Sequence, residues 1–103
     1  MLKLCFYVPA DSLEVVKQAV FAAGAGRSER YQRVCWQTAG QGQFEPEPGS
    51  NPSHGRVGEL SKVSEFKVEM ICQDDQIHSV IAALVAAHPY ENVAYDVVRL
   101  MDI

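Results

Sequence analysis

A strand–helix–strand pattern that occurs twice is the feature that most constrains the fold of this chain. Alternating apolar residues, which are typical of strands, occupy four segments, residues 2–8, 31–39, 64–72 and 93–100. Apolar residues at helical spacing occupy two segments, residues 13–23 and 77–85. The order β-α-β-β-α-β predicts a ferredoxin-like α+β sandwich.

The two halves of the pattern also predict the order of the strands. A strand–helix–strand unit crosses over with a right hand and leaves room for one strand of the other half. The predicted sheet is therefore antiparallel with the order 4-1-3-2, and both helices lie on one face. The second and third strands are joined by a long loop, residues 40–63. Five glycines and three prolines lie between Gly40 and Gly58, so this loop is either functional or a plain extension of a hairpin.

Particular residues predict where the helices begin and end. Asp11 fits an N-cap with Glu14 as its capping-box partner, and Asp74 or Asp75 fits the N-cap of the second helix. The residues that end the helices are the glycines Gly24 and Gly26, which favour a left-handed C-cap, and the pair His88–Pro89.

Composition narrows the class of protein. With 103 residues, 48% of them hydrophobic, the chain fits a single domain, residues 1–103. The net charge of −4 argues against nucleic acid or an anionic membrane as a partner.

No stretch is apolar enough to span a bilayer, and the first nine residues do not resemble a secretory signal. Three separated cysteines, Cys5, Cys35 and Cys72, argue against a disulfide framework. We therefore expect a cytoplasmic protein.

The uncovered face of the sheet predicts self-association. The residues Cys5 and Tyr7 share the outer face of the first strand, and the fourth strand is apolar on both sides. A sheet with one solvent-exposed face should instead alternate into polar residues. We expect a homo-oligomer that covers part of this face.

The turn after the second helix contains the best candidate ligands for a metal. An imidazole and a carboxylate, from His88 and Glu91, suit zinc and similar divalent cations, but a site needs three or four ligands. In the predicted topology the long loop emerges at the same end, so Glu59, His54 or a neighbouring subunit could complete the set. In the alternative interpretation His88 caps the C-terminal end of the second helix, where positive charge is favourable, and Glu91 accepts backbone N–H groups within the turn. No nucleophile–base pair or phosphate loop is present, so we expect no enzymatic activity.

Several motifs resemble one family. They are Gly24-Ala25-Gly26, Tyr31, Thr38-x-Gly40-x-Gly42-x-Phe44-x-Pro46, Gly49-x-Asn51-Pro52-x-x-Gly55-x-x-Gly58-Glu59, Val63-x-Glu65 and His88-Pro89-Tyr90-Glu91-x-x-Ala94-Tyr95-Asp96. Together they resemble the YqfO-type domain, a CutA-like or PII-like module found within many Nif-three-like proteins. The catalytic-type portions of those proteins have no counterpart here, so the chain resembles a stand-alone version.

The resemblance implies a trimer of the CutA and PII kind, and divalent-metal binding as described for CutA proteins. It also implies that the loop between the second and third strands is regulatory, since this loop has that role in PII proteins, which bind nucleotides between subunits. Only Arg56 and Lys62 near the loop could hold phosphates, and His54 departs from the family pattern. The first hypothesis is a non-enzymatic, divalent-metal-binding protein with a regulatory role. The alternatives are a sensor of a nucleotide or small anionic metabolite and a structural interaction module.

Overall fold

The computed structural model describes residues 1–103, and its elements follow the predicted order. They are β1 (Leu2–Pro9), α1 (Leu13–Ala22), β2 (Trp36–Phe44), β3 (Ser61–Cys72), α2 (Ile77–Ala87) and β4 (Tyr95–Arg99). The strands form one antiparallel sheet in the order β2-β3-β1-β4. This order confirms the predicted 4-1-3-2 topology and the ferredoxin-like fold.

The core lies between the sheet and both helices. The central strand β1 places every second side chain on this face, because successive residues of a strand point to opposite sides. The fully buried core residues are Leu4, Phe6 and Val8 of β1, Val16 and Val20 of α1, Val68 of β3, and Val80 and Leu84 of α2. Both helices therefore pack on one face, as predicted.

The second strand lies further along the chain than residues 31–39. Gly40 and Gly42 continue β2 opposite Glu65 and Val63 of β3, and the bare backbone of Gly42 leaves space for the Glu65 carboxylate. The loop that joins β2 and β3 therefore covers residues 45–60, and the prediction of 40–63 was too long. Residues 31–35 form no strand, because Arg33 has a φ of 57°, which is incompatible with an extended ladder.

The end of α1 matches its prediction, whereas the predicted N-caps were wrong. Gly24 has a φ of 117°, and the N–H groups of Gly24 and Ala25 donate to the carbonyls of Phe21 and Val20, which is a Schellman motif. A 3-10 turn precedes each helix and makes Ser12 and Gln76 the N-cap residues. No side chain caps either helix. The carboxylates instead form ion pairs, Glu14 with Lys17 and Asp74 with Arg99.

The end of α2 follows from Pro89. His88 has extended backbone angles, φ −75° and ψ 137°, because a proline disfavours the helical region for the residue before it. The N–H of His88 still donates to the carbonyl of Leu84 at 3.0 Å, so the helix ends there and the chain turns towards β4. Neither helix has the length and apolar character needed to cross a membrane.

Candidate functional site

A cleft of about 490 Å³ lies where the 45–60 loop meets the turn between α2 and β4. Four carboxylates line it, from Glu45, Glu47, Glu65 and Glu91. Neither lysine nor arginine is among its lining residues. We call this site the loop cleft, and its side chains favour a ligand with positive charge.

His88 lies beneath the loop cleft and holds the turn to β1. Its side chain is only 6% exposed, and its Nε2 lies 2.7 Å from the carbonyl oxygen of Tyr7. Its Nδ1 accepts the backbone N–H of Tyr90 at 3.1 Å. Because a carbonyl only accepts, the proton of the neutral ring is on Nε2. Burial lowers the pKa of His88, which favours this neutral form.

Tyr90 connects His88 to the cleft. Its ring centroid lies 4.9 Å from that of His88, and the rings of Phe44 and His54 meet it edge-on at 5.9 and 5.5 Å. Its hydroxyl donates to Oε2 of Glu65 at 2.8 Å. Burial, followed by this hydrogen bond, raises the pKa of Tyr90. The phenol therefore stays a donor that fixes the orientation of the Glu65 carboxylate.

Glu91 holds the long loop to the turn. Its Oε2 accepts the backbone N–H of Asn51 at 2.8 Å, across 40 residues of sequence. One alternative from the sequence had Glu91 accept backbone N–H groups within the turn, whereas in the structure Glu91 accepts an N–H of the long loop. The loop and the turn therefore form two walls of one cleft.

The structure brings together two of the four predicted metal ligands. His54 and Glu91 line the loop cleft, whereas His88 and Glu59 do not. Nδ1 of His54 lies 3.1 Å from the hydroxyl of Ser53. Glu59 is exposed on the loop, where its backbone N–H donates to Arg56. No three His, Cys, Asp or Glu side chains gather closely enough to hold a metal ion, and metal binding stays a prediction.

Comparison with known proteins agrees with the resemblance. No family model matches the chain. A GTP cyclohydrolase 1 type 2 homolog from Mycobacterium bovis is 41% identical over 99 residues, which are 96% of this chain and 26% of that protein. The homolog from Bacillus subtilis is 40% identical over 95 residues, 92% of this chain and 26% of that protein. The chain spans about a quarter of the length of these relatives.

Solved structures give the same result. The Bacillus cereus protein related to NIF3 superposes with a TM-score of 0.82 at 37% identity, over 98% of this chain and 26% of that one. This chain is similar to one portion of NIF3-related proteins. The periplasmic divalent cation tolerance protein CutA from Archaeoglobus fulgidus has a TM-score of 0.68 at 11% identity, over 99% of this chain and 86% of that one. The likeness to CutA concerns the fold alone.

The sequence prediction did not include Glu65 as a residue of the loop cleft. Glu65 lies within a strand, where an isolated charge is ordinary. The available signal was Gly42 within a strand, because a glycine there often marks a close approach by another group. Here that group is the Glu65 carboxylate. Its hydrogen-bond partner, Tyr90, lies in the same turn as Glu91.

Proposed function

We propose that this chain is a non-enzymatic regulatory module that binds a cation, and that the cation is a divalent metal ion in the loop cleft. The observation that supports the proposal most is the charge of the lining, four carboxylates with neither lysine nor arginine. Such a lining attracts cations and repels phosphates. The nucleotide alternative is therefore not favoured at this cleft, since neither Arg56 nor Lys62 lines it.

The donor atoms suit zinc or a similar cation. His54 has its Nδ1 next to the Ser53 hydroxyl, which leaves Nε2 to bind metal, and Glu91 offers carboxylate oxygens. Since no group of three ligands is preformed, we propose that water or a second copy of the chain completes the coordination. We assign His88 a positioning role, because both of its ring nitrogens are hydrogen-bonded.

The name of one protein with a similar fold supports this ligand class. The CutA protein with a similar fold is named for divalent cation tolerance, and we extend that class of ligand to this chain as a proposal. The relatives named GTP cyclohydrolase homologs are about four times longer, so we do not transfer an activity from that name. A regulatory role fits a loop that one hydrogen bond joins to the turn.

We also propose that the chain forms a homo-oligomer through the open face of the sheet, and we favour a trimer. That face presents Tyr7, Val98 and Trp36, the last of them 69% exposed, beside the Lys3–Glu69 ion pair. A second copy would cover these apolar side chains. Sedimentation at micromolar concentration tests this, and a monomer would contradict it.

We also propose that the protein is cytoplasmic, because its three free cysteines are typical of the reducing cytoplasm.

The metal proposal is tested by calorimetric titration with Zn²⁺. Glu91→Gln and His54→Ala should each weaken binding by about tenfold or more, because each removes a ligand. His78→Ala is the matched control, since His78 is exposed on α2, and should bind like the unchanged protein. Equal affinities in all variants would contradict the proposed ligands. Incubation of the metal-loaded protein with GTP should release no product, and turnover would contradict the non-enzymatic role.

A further inference from the structure

A second cleft, of about 280 Å³, lies against the C-terminal half of α1. The segment 26–34, which leads from α1 towards β2, forms its other wall. Its lining includes Gln18, Phe21, Ala25, Gln32 and two arginines, Arg27 and Arg33. These arginines are its only charged lining residues. We call it the arginine cleft, and its charge is opposite to that of the loop cleft.

The backbone places the two arginines side by side. The N–H of Val34 donates to the carbonyl of Gly26 at 2.8 Å, and these two residues directly adjoin Arg33 and Arg27. The N–H of Gly26 in turn donates to Ile71 of β3 at 2.9 Å. These two hydrogen bonds close segment 26–34 into a loop and attach it to the sheet. The backbones of Arg27 and Arg33 are therefore held in fixed positions.

Arg33 occupies this position at a conformational cost. Its φ of 57° is in the left-handed region, which costs a residue with a side chain about 1 kcal/mol or more. A glycine would adopt this conformation without that cost. Strained residues of this kind cluster at binding sites, and here the strained residue lines the cleft.

The two guanidinium groups also lack anionic partners within the chain. Neither Arg27 nor Arg33 takes part in an ion pair, although the chain has 13 acidic residues against nine basic ones. The side chains beside them are the amides of Gln18 and Gln32 and the apolar groups of Phe21 and Ala25. Two unpaired cations with amides and an aromatic ring suit an anion that has an apolar body.

We propose that the arginine cleft binds a small organic anion. Its phosphate or carboxylate would lie between Arg27 and Arg33, since a guanidinium matches either group with paired N–H donors. Its apolar part would lie on Phe21 and Ala25. The cleft is at the opposite end of β2 from the loop cleft, so the proposal does not depend on metal binding.

Calorimetric titration with phenyl phosphate and benzoate tests the proposal, with phenol as the neutral control ligand. Arg27→Gln and Arg33→Gln should each weaken binding of the preferred anion by about tenfold or more, the effect of losing one charge-assisted contact. Arg30→Gln is the matched control, because Arg30 belongs to the same segment but does not line the cleft. It should change the affinity by less than about twofold. Stronger binding of one probe identifies the charged group.

Arg33→Gly separates loss of the guanidinium from loss of the fold. Glycine suits the left-handed conformation, so this variant should keep or raise the melting temperature while it binds as weakly as Arg33→Gln. Three results would overturn the proposal. They are no saturable binding of either anion at millimolar concentration, equal weakening by all three arginine-to-glutamine variants, and phenol binding as tight as that of the anions.

Discussion

The two ends of the sheet differ in what holds their connections in place. At the end that carries the loop cleft (the loop end), side chains hold the connections. His88 joins the turn to β1, Tyr90 donates to Glu65, and Glu91 accepts the N–H of Asn51. At the end that carries the arginine cleft (the arginine end), backbone groups hold the α1–β2 connection, through the Schellman motif after α1 and the hydrogen bond between Gly26 and Val34. The β3–α2 connection at this end is held by the ion pair of Asp74 with Arg99. The α1–β2 connection therefore leaves Arg27 and Arg33 without ionic partners, whereas the loop end uses several polar side chains to hold its connections.

The two ends also differ in charge. The net charge of −4 conceals an acidic cleft at one end and a cleft with only arginines as charged groups at the other. The two proposals therefore give the chain opposite ligand preferences at opposite ends of one strand. Substitutions at each end should distinguish connections that side chains hold from those that the backbone holds.

The largest effect is expected for His88→Ala. The change removes a buried ring and leaves the Tyr7 carbonyl and the Tyr90 N–H without partners, so unfolding free energy should fall by about 3 kcal/mol. Chemical denaturation measures it. The control is His78→Ala on the exposed face of α2, which should change stability by less than about 0.5 kcal/mol. Equal losses would show that His88 does not hold the turn.

A smaller effect is expected at the other end for Gly26→Ala. Gly26 has a φ of 76°, and a Cβ there would meet the Phe21 ring and the Val34 carbonyl. We expect a loss of about 2 kcal/mol or more. Gly58→Ala provides the match, because Gly58 has a similar φ of 81° with open space around it, and should cost about 1 kcal/mol. If Gly26→Ala is as mild as Gly58→Ala, close packing does not hold the arginine end.

Tyr90→Phe isolates one hydrogen bond of the loop end. It removes the donor to Glu65 and keeps the ring contacts with His88 and Phe44, so a loss of about 1 kcal/mol is expected. Tyr31→Phe serves for comparison, since Tyr31 is 74% exposed, and should be neutral in thermal denaturation. A neutral Tyr90→Phe would indicate that ring packing alone fixes this residue.

The smallest effect is expected in the pH dependence of the free energy of unfolding, to which the single residue His88 contributes. Burial lowers the pKa of His88, so below about pH 6.5 the unfolded chain binds a proton at this residue that the folded chain does not. Stability should therefore fall as the pH falls from 7 towards 5, and His88→Ala should show a shallower dependence. Denaturation at several pH values measures the slope, and an unchanged slope in the variant would refute the assignment.

The order of the strands was predicted correctly from the sequence, whereas the position of β2 was not. Alternating apolar residues and two helical stripes were enough to predict the topology around β1. The second strand was misplaced because Val34, Trp36 and Thr38 alternate like a strand. In the structure Arg33, just before Val34, is left-handed, and β2 begins only at Trp36. No pattern in the sequence marks a non-glycine residue with positive φ, since the closed segment 26–34 imposes it.

The sequence predicted only part of the geometry of the loop cleft. Topology brings the long loop to the turn, so His54 and Glu91 were rightly expected at one end of the sheet. The sequence does not reveal that the Tyr7 carbonyl and the Tyr90 N–H occupy both nitrogens of His88. These partners are backbone groups, and backbone groups occur at every position of a sequence. The ligand set was therefore predicted from residue types alone, whereas the geometry shows that hydrogen bonds occupy both ring nitrogens of His88.

The most direct test of the two-ended account is one nuclear magnetic resonance titration series on the ¹⁵N-labelled protein. Zn²⁺ should shift the amide signals of the loop cleft, including Asn51 and Glu91, and leave residues 26–34 unchanged. Phenyl phosphate should shift the signals of residues 26–34 and leave the loop cleft unchanged. Two separate sets of shifts would support opposite ligand preferences at the two ends. Zn²⁺ shifts that are absent from the loop cleft, or that coincide with those of phenyl phosphate, would contradict it.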